Sequence, residues 1–499
     1  MVRIAQIVLR RFKNINYGEI NFTKSKPGAQ FQAGADIIGI YGQNGSGKTS
    51  VIEAIELIKT LMTGEAYDTD VVLDYFYPGE PSFSIELTFN VKTVDKVFTV
   101  QYDVTFSRKS RLVWISHERL VSKQFDDNRK KWDSKRSLFE LDQEAPEAAA
   151  VLLPKSSWNY LLNSDQQLKM SLLVSLGVHQ QGHLSPMFAL QTYKYLRSLE
   201  LCDFGLYKAD LPPSNLVFNG DIFNLQSKSF QTAHTKTLVP LMDIITELSW
   251  YFVSRVNVFT TLANATCSLN FLSMDILDER GYGRKGHLSV NLFEPGVLKE
   301  DDFEVVSSAL KRVSGLIGSL VPGLSVKVRE VGTQLMDEGD TLAKQVEFLS
   351  CRDGVEIPLR CESEGIRKLI SFSLRLMEVH SYSDSFLAVD ELDSGIFEYL
   401  LGELLSVIES FGKGQLLFTA HNLRVLELLP TSEIVLATSD PNNRFERFKG
   451  VKPTNNPRDQ YLRTVSLGGS GSHIYVPTNK YQIDAALCLG GGEYCRRKN

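Results

Sequence analysis

The segment Gly42-Gln-Asn-Gly-Ser-Gly-Lys-Thr49 constrains this 499-residue chain more than any other. It satisfies G-x-x-x-x-G-K-[ST], a pattern that works only between a buried strand and the start of a helix. Both neighbours are legible. Asp36-Ile-Ile-Gly-Ile-Tyr41 is a short apolar run, and Val51, Ile55, Ile58 and Leu61 recur at helical spacing. Glycines let backbone N–H groups turn inward around phosphate oxygens, and the helix offers its positive end to the same anion. The phosphate-site candidates are therefore Gly42, Gln43, Asn44, Gly45, Ser46, Gly47, Lys48, Thr49 and Ser50. Lys48 is expected at the β- and γ-phosphates, and the Thr49 hydroxyl on Mg²⁺. A chance match in a glycine-rich turn is the competing reading, and the strand and helix on either side weigh against it.

A phosphate loop that drives hydrolysis also needs a carboxylate for the metal and a base for water. Ser-Phe-Leu-Ala-Val-Asp390-Glu391 supplies both at the end of an apolar run. Asp390 would hold Mg²⁺, directly or through water, and Glu391 would polarise the nucleophile. Two adjacent acids are commonly just a solvated strand end, and only the upstream loop lifts this pair above that reading. Gln415-Leu-Leu-Phe-Thr-Ala-His421-Asn422 follows, one helix and one strand later. His421 is thereby placed where it could bond the γ-phosphate, although lone histidines are more often structural.

The rest of the chain frames these elements. Ile4–Leu9 and Gly18–Phe22 read as strands. SFSIELTFNV, KVFTVQYDVTF and RLVWISHERLV, between about residues 82 and 122, read as an antiparallel meander. Residues 123–340 read as a mainly helical insertion, with helical spacing in Leu168–Leu176, Thr237–Ala263 and Phe303–Leu320. Strands resume at Leu324–Glu330, then Val346–Leu349 and Val355–Leu359 flank the turn Arg352-Asp353-Gly354. A helix is expected over Ile366–His380 and a loop-rich tail over 451–499. The domains are accordingly an N-terminal lobe (1–122), the insertion, a C-terminal lobe (341–450) and the tail. The formal charge of −5 gives no global pull toward nucleic acid or membranes. No apolar run approaches the ~18 residues of a membrane span. The N-terminus lacks a small-residue cleavage site, and six scattered cysteines fit a reducing cytoplasm.

The order of these three elements resembles the ABC-type ATPases of the SMC, RecF and OLD group. Ile7-Val-Leu-Arg-Arg-Phe-Lys-Asn-Ile15 resembles that group's first strand and turn. Cys361-Glu-Ser-Glu-Gly365 resembles the E-S-x-G signature of small OLD-like ATPases, and Leu392-Asp393-Ser-Gly395 resembles the D-loop. The resemblance implies an α/β fold: a P-loop head with a mixed sheet, an antiparallel β meander and a large helical insertion. It implies ATP and Mg²⁺ as cofactors, and a homodimer or higher oligomer. Ser363 and Gly365 of one subunit would cap the ATP held by Lys48 of the other, with Asp393 at the same nucleotide. The signature is not the transporter form L-S-G-G-Q, and Gln101 is the one candidate for the Q-loop glutamine. The stretch after His421 contains neither the acidic glycine turn nor the D-x-D of OLD nucleases, and the zinc-hook cysteine pair of long-coil relatives is missing. Such chains resemble the ATPase subunits of bacterial anti-phage systems of the PARIS and Septu type, which control a separate effector, often a nuclease.

Two other readings compete. Ser107–Arg136 holds ten Lys/Arg against four Asp/Glu, interleaved with Trp114, Phe125 and Trp132. Such a segment could track a nucleic-acid backbone, as in a RecF-like DNA-repair ATPase, or be a solvated loop anchored by its aromatics. A nucleotide-gated scaffold with little turnover is the third reading, and Glu391 argues against it. His179 and His183 lack a third ligand, so no metal is assigned beyond Mg²⁺.

Overall fold

The computed structural model describes residues 1–26, 34–93, 95–126, 128–145, 151–155, 158, 184–188, 237, 239–260, 271–277, 284–291, 296–335, 342–448, 458–459, 461–463 and 479–490. Apolar runs without polar alternation need cover on both faces. Asp36–Gly42 (β3), Phe386–Val389 (β17) and Gln415–Thr419 (β18) find it inside one sheet. Its order is β10-β17-β18-β3-β19-β20, where β10 is Val256–Phe259, β19 Ile434–Ala437 and β20 Phe445–Arg447. Every pairing is parallel except β19 with β20. Alternate residues serve different cores. Phe386 and Ala388 join one, Leu387 and Val389 the other.

The first core lies under a largely antiparallel sheet. Val2–Phe12 (β1), Ile15–Asn21 (β2), Ser82–Lys92 (β4), Val97–Lys109 (β5), Leu112–Asp126 (β6), Arg136–Asp142 (β8) and Val151–Leu153 (β9) take the order β2-β1-β4-β5-β6-β8-β9, and Lys131–Trp132 (β7) pairs with β6. The meander read from the period-two segments is β4-β5-β6. Between the sheets runs Lys48–Met62 (α1), whose buried Val51, Ile55, Ile58 and Leu61 are the residues that set its period. Val239–Ser254 (α2) packs into the same core.

The second core covers the other face of the parallel sheet. Glu300–Leu320 (α3), Glu364–Ser381 (α4) and Glu398–Phe411 (α5) contribute to it. So does a smaller sheet of Gly296–Lys299 (β13), Leu324–Leu335 (β14), Leu342–Arg352 (β15) and Val355–Pro358 (β16). Arg352 pairs with Val355, leaving Asp353 and Gly354 as a two-residue turn at φ 49° and 81°. Positive φ at both positions is the primed geometry that matches strand twist.

The region expected to be mainly helical differs. Arg136–Asp142 (β8) and Val151–Leu153 (β9) extend the antiparallel sheet, and Phe271–Leu277 (β11) pairs with Arg284–Asn291 (β12). The periodicity over 237–263 covers a helix that stops at Ser254 and a strand, β10, that enters the core sheet beside β17. A four-residue apolar strand following an apolar helix cannot be separated from it by periodicity. The insertion therefore starts and ends inside the fold of the lobes. The helix expected over 168–176 lies outside the described residues, as does most of the tail, where Lys480–Gly490 is helical. No described helix is long and apolar enough to cross a membrane.

One buried acid near the sheet has a measurable consequence. Glu433 is 2% exposed, 3.5 Å from Lys24, and one of its carboxylate oxygens has no partner among the described residues. Burial, only partly offset by Lys24, raises its pKa from 4.5 to about 7. The native state then binds the proton more tightly than the unfolded chain. That stability is fully present below pH ~4.5 and is lost as pH rises through ~7. Glu433→Gln is expected to flatten this loss, gaining on the order of 2 kcal/mol over the parent at pH 8 and almost nothing at pH 4.5. Denaturant melts at the two pH values check it; equal shifts at both would refute the assignment.

Candidate nucleotide site

The strand order decides what meets at the sheet's C-terminal end. β18 lies between β3 and β17, so the phosphate loop, Thr419 and the Asp390-Glu391 pair leave adjacent strands on one edge. Between them opens a cleft of about 380 Å³, in the usual range for small-molecule sites. Lys13, Asn14, Asn44, Gly45, Gly47, Lys48, Thr49, Ser50, Asp390, Glu391, Thr419 and His421 line it.

The loop has the backbone its glycines permit. Gly45 and Gly47 have φ of 78° and 84°, left-handed values that favour glycine. Gly47 is the N-cap of α1 and no side chain caps that end, which leaves its first N–H groups facing the cleft. A Cβ on Gly42 would lie 2.6 Å from the Ala437 carbonyl oxygen, so the close packing of β3 on β19 also requires glycine. Lys48 Nζ donates to the carbonyls of Gly42 (2.9 Å) and Gln43 (3.1 Å). Burial lowers its pKa, opposed by Asp390, Glu391 and Asp393. The buried Ser46 hydroxyl has no partner among the described residues. Inward N–H groups, an ammonium and an unpaired hydroxyl suit a polyphosphate.

Opposite the loop, Thr419 organises the acids. Its hydroxyl donates to Asp390 Oδ1 at 2.6 Å and accepts the Glu391 N–H at 2.7 Å. The Thr49 hydroxyl donates to the same Asp390 oxygen at 3.2 Å. Asp390 is fully buried. A hydroxyl and a carboxylate so close fit two neighbouring positions of a hard, oxygen-preferring cation such as Mg²⁺. Glu391 has φ 49°, rare for a residue with a side chain, so its placement is imposed by its neighbours.

Other residues named from the sequence lie elsewhere. Ser363 caps α4, accepting the Ile366 N–H at 3.4 Å, and neither it nor Gly365 lines the cleft. Gly365 sits against the turn Leu392-Asp393-Ser394-Gly395, where a Cβ would lie 1.9 Å from the Gly395 carbonyl oxygen. Asp393, expected at the nucleotide, does not line the cleft either. Its Oδ2 accepts the N–H groups of His421 (2.8 Å) and Asn422 (2.6 Å), so within this chain it holds the histidine loop. Gln101 sits on β5, bonded to Asp103 and Lys135 and away from the cleft, so it does not serve as the Q-loop glutamine here.

Three lining residues carried no individual signal. Thr419 lies inside an apolar strand. Lys13 and Asn14 follow β1 in a turn with φ of 56° at Arg11 and 53° at Lys13, where no glycine marks it. That turn is tied down by Lys13 N–H to Tyr75 O (2.7 Å) and by the Asn14 side chain to Gly45 O. Lys13 Nζ is held by both oxygens of Glu53 at 2.7 and 2.8 Å.

Six of the ten Lys/Arg in the basic segment, Lys123, Arg129, Lys130, Lys131, Lys135 and Arg136, gather where β6 meets β7 and β8. Arg108, Lys109 and Arg111 sit at one end of β6, and Arg129, Lys130 and Lys131 at the other. A 15-residue strand puts them roughly 45–50 Å apart. Its aromatics are anchors: Phe125 packs edge-on against Trp132, and Trp114 Nε1 donates to Gln143 O. On the same sheet His117, Glu140 and Asp142 have ligand atoms within 4.8 Å of one another. His117 and Asp142 are direct cross-strand partners, and Arg119 lies 3.7 Å from Glu140, so this group is internally paired.

A parallel sheet carrying the phosphate loop, with an antiparallel sheet folded over its helix and acids from a distant segment beside it, defines the architecture. The chain has an ABC-type P-loop ATPase fold. A family model described as an AAA domain matches residues 6–190. Among solved structures, the chain is similar to the Smc head domain from Pyrococcus furiosus bound to the C-terminal domain of ScpA. That pair shares 10% identity over 94% of this chain and 100% of the other, with a TM-score of 0.38. A Smc head with a coiled coil and joint from Pyrococcus yayanosii shares 11% over 93% and 100%, at 0.38. The SMC head domain from Thermotoga maritima shares 12% over 90% and 100%, at 0.33. The search of curated proteins returns no match.

Proposed function

We propose that this chain is a Mg²⁺-dependent ATPase that works as a molecular switch, closing two heads around ATP and releasing them on hydrolysis. The observation that carries the reading is the Thr419 hydroxyl. It ties the metal carboxylate to the base, across the cleft from Lys48 and Thr49. In this reading the loop Gly42–Ser50 and Lys48 bind the phosphates, and Thr49 and Asp390 hold the cation. Bound there, Mg²⁺ supplies charge neutralisation on the phosphates. Glu391 takes a proton from the attacking water, and His421 bonds the γ-phosphate. Ser363, exposed at the start of α4 and outside its own chain's cleft, is the surface that caps the partner's nucleotide, with Gly365 buried behind it against Gly395.

The output of such a cycle is the change in association itself. The resemblance to small OLD-like ATPases supports a part in an anti-phage complex, restraining or directing a separate effector. The RecF-like reading keeps Arg129, Lys130 and Lys131, which sit together where β6 meets β7, as its candidate DNA contacts. The test is the association state of the purified chain, followed by light scattering with and without MgATP. Doubling of mass with MgATP, reversed as phosphate is released, is expected. An unchanged mass at saturating ATP would eliminate the switch.

A further inference from the structure

α4 carries a cation that the catalytic reading does not use. Lys368 sits in its second turn and is 5% exposed. Its Nζ donates to the carbonyl oxygen of Glu391 at 2.6 Å and to that of Ser394 at 3.2 Å. Burying an ammonium is costly unless it is well bonded, and carbonyl oxygens of one tight turn satisfy it. The turn is the one that starts from Glu391 at φ 49° and closes with Ser394 N–H on Glu391 O at 3.0 Å.

Glu391 is thus held from two sides by two elements. Thr419, from β18, takes its N–H; Lys368, from α4, takes its carbonyl. The first residues of α4 lie against the same turn, as the contact of Gly365 with Gly395 records. A shift of α4 along or about its axis moves the ammonium and the loop backbone together. Because a left-handed residue with a β-carbon keeps its conformation only while its surroundings impose it, such a shift redirects the Glu391 carboxylate.

We infer that Lys368 is a positioning residue that makes the aim of the Glu391 carboxylate depend on the seating of α4. This rests on the reading of Glu391 as the base and of the α4 N-terminus as the surface that meets the partner's nucleotide. Contact at Ser363 with a nucleotide in the other subunit is then sensed at this chain's own site. Placement errors of about 1 Å at a reacting group cost on the order of a hundredfold in rate, so the lever is large enough to control turnover.

The experiment measures kcat, KM and the equilibrium Kd for ATP in the wild type, Glu391→Gln, Lys368→Met and Lys368→Arg. Lys368→Met is expected to lower kcat about 30- to 100-fold, with Kd within about threefold of wild type. Lys368→Arg, whose guanidinium can still donate to both carbonyls, is expected to recover to within about fivefold. Should Lys368→Met fail to fold by thermal melting, Lys368→Gln, which keeps a neutral donor, replaces it and loses at least about tenfold in kcat. A neutral variant with kcat within twofold of wild type, while Glu391→Gln is inactive, overturns the inference. So does a loss of kcat matched by an equal loss of ATP affinity, which would mark a merely structural lysine. A wild type that releases no phosphate removes the base reading first, and this inference with it.

Discussion

Glu391→Gln is expected to lower phosphate release from ATP by about 10²–10⁴-fold while ATP binding persists. The range is what a positioned general base contributes. Glutamine keeps the size of the side chain and removes the basicity. The backbone bonds that shape the turn, Glu391 N–H to Thr419 and Glu391 O from Lys368, are indifferent to the change. Phosphate binding rests on other groups, the loop amides and Lys48, so affinity is expected to stay within a few-fold. Phosphate release under steady-state conditions, beside equilibrium binding of a fluorescent ATP analogue, separates the two effects. Equal turnover in both proteins would remove Glu391 from the chemistry. Tight binding with no turnover in either would favour the gated scaffold.

Gln415→Leu is expected to cost roughly 2–5 kcal/mol of stability, far more than a typical substitution. Gln415 is 1% exposed at the start of β18, and its amide acts as a short piece of strand. Its oxygen accepts the Ile4 N–H and its nitrogen donates to the Ile4 carbonyl, both at 2.8 Å. Ile4 sits where the β1–β4 register slips, between Ile4 and Gln6. The side chain thereby joins the antiparallel sheet to the parallel one. Leucine fills similar volume but leaves both backbone groups buried and unbonded, each costing about 1–3 kcal/mol. Chemical denaturation reads the difference directly, and a loss under 1 kcal/mol would show that water or a shifted strand satisfies Ile4. Gln415→Glu is the sharper control, since it keeps the acceptor and loses the donor.

The places where sequence and structure part company share a cause. Thr419 is one polar residue in an apolar strand, and nothing local marks it as the link between Asp390 and Glu391. Its role follows from β18 lying between β3 and β17, which is a property of strand order. Lys368 has the spacing of an ordinary helical lysine, and its burial depends on which face of α4 meets the turn after Glu391. Asp393 was legible as part of a loop motif, yet its partner within the chain, the backbone of His421 and Asn422, comes from another strand end. The basic segment reads as continuous because its residues are neighbours in sequence. Extended backbone then carries Arg108, Lys109 and Arg111 to the opposite end of β6 from Lys123, Arg129, Lys130 and Lys131.

What the residues determined alone is local and stereochemical. Gly45 and Gly47 mark positions open to left-handed backbone, and the apolar runs at β3, β17 and β18, short and bounded by turns, read as strands buried on both faces. The phosphate loop, its helix and the acid pair were readable for that reason. Only the tertiary structure decided that β10 leaves the insertion to join the core sheet, that Lys13 and Asn14 reach the cleft, and that Thr419 and Lys368 hold Glu391 from two sides. Those outcomes depend on which elements become neighbours, and that is set by the burial of both faces of one sheet rather than by any stretch of sequence read alone.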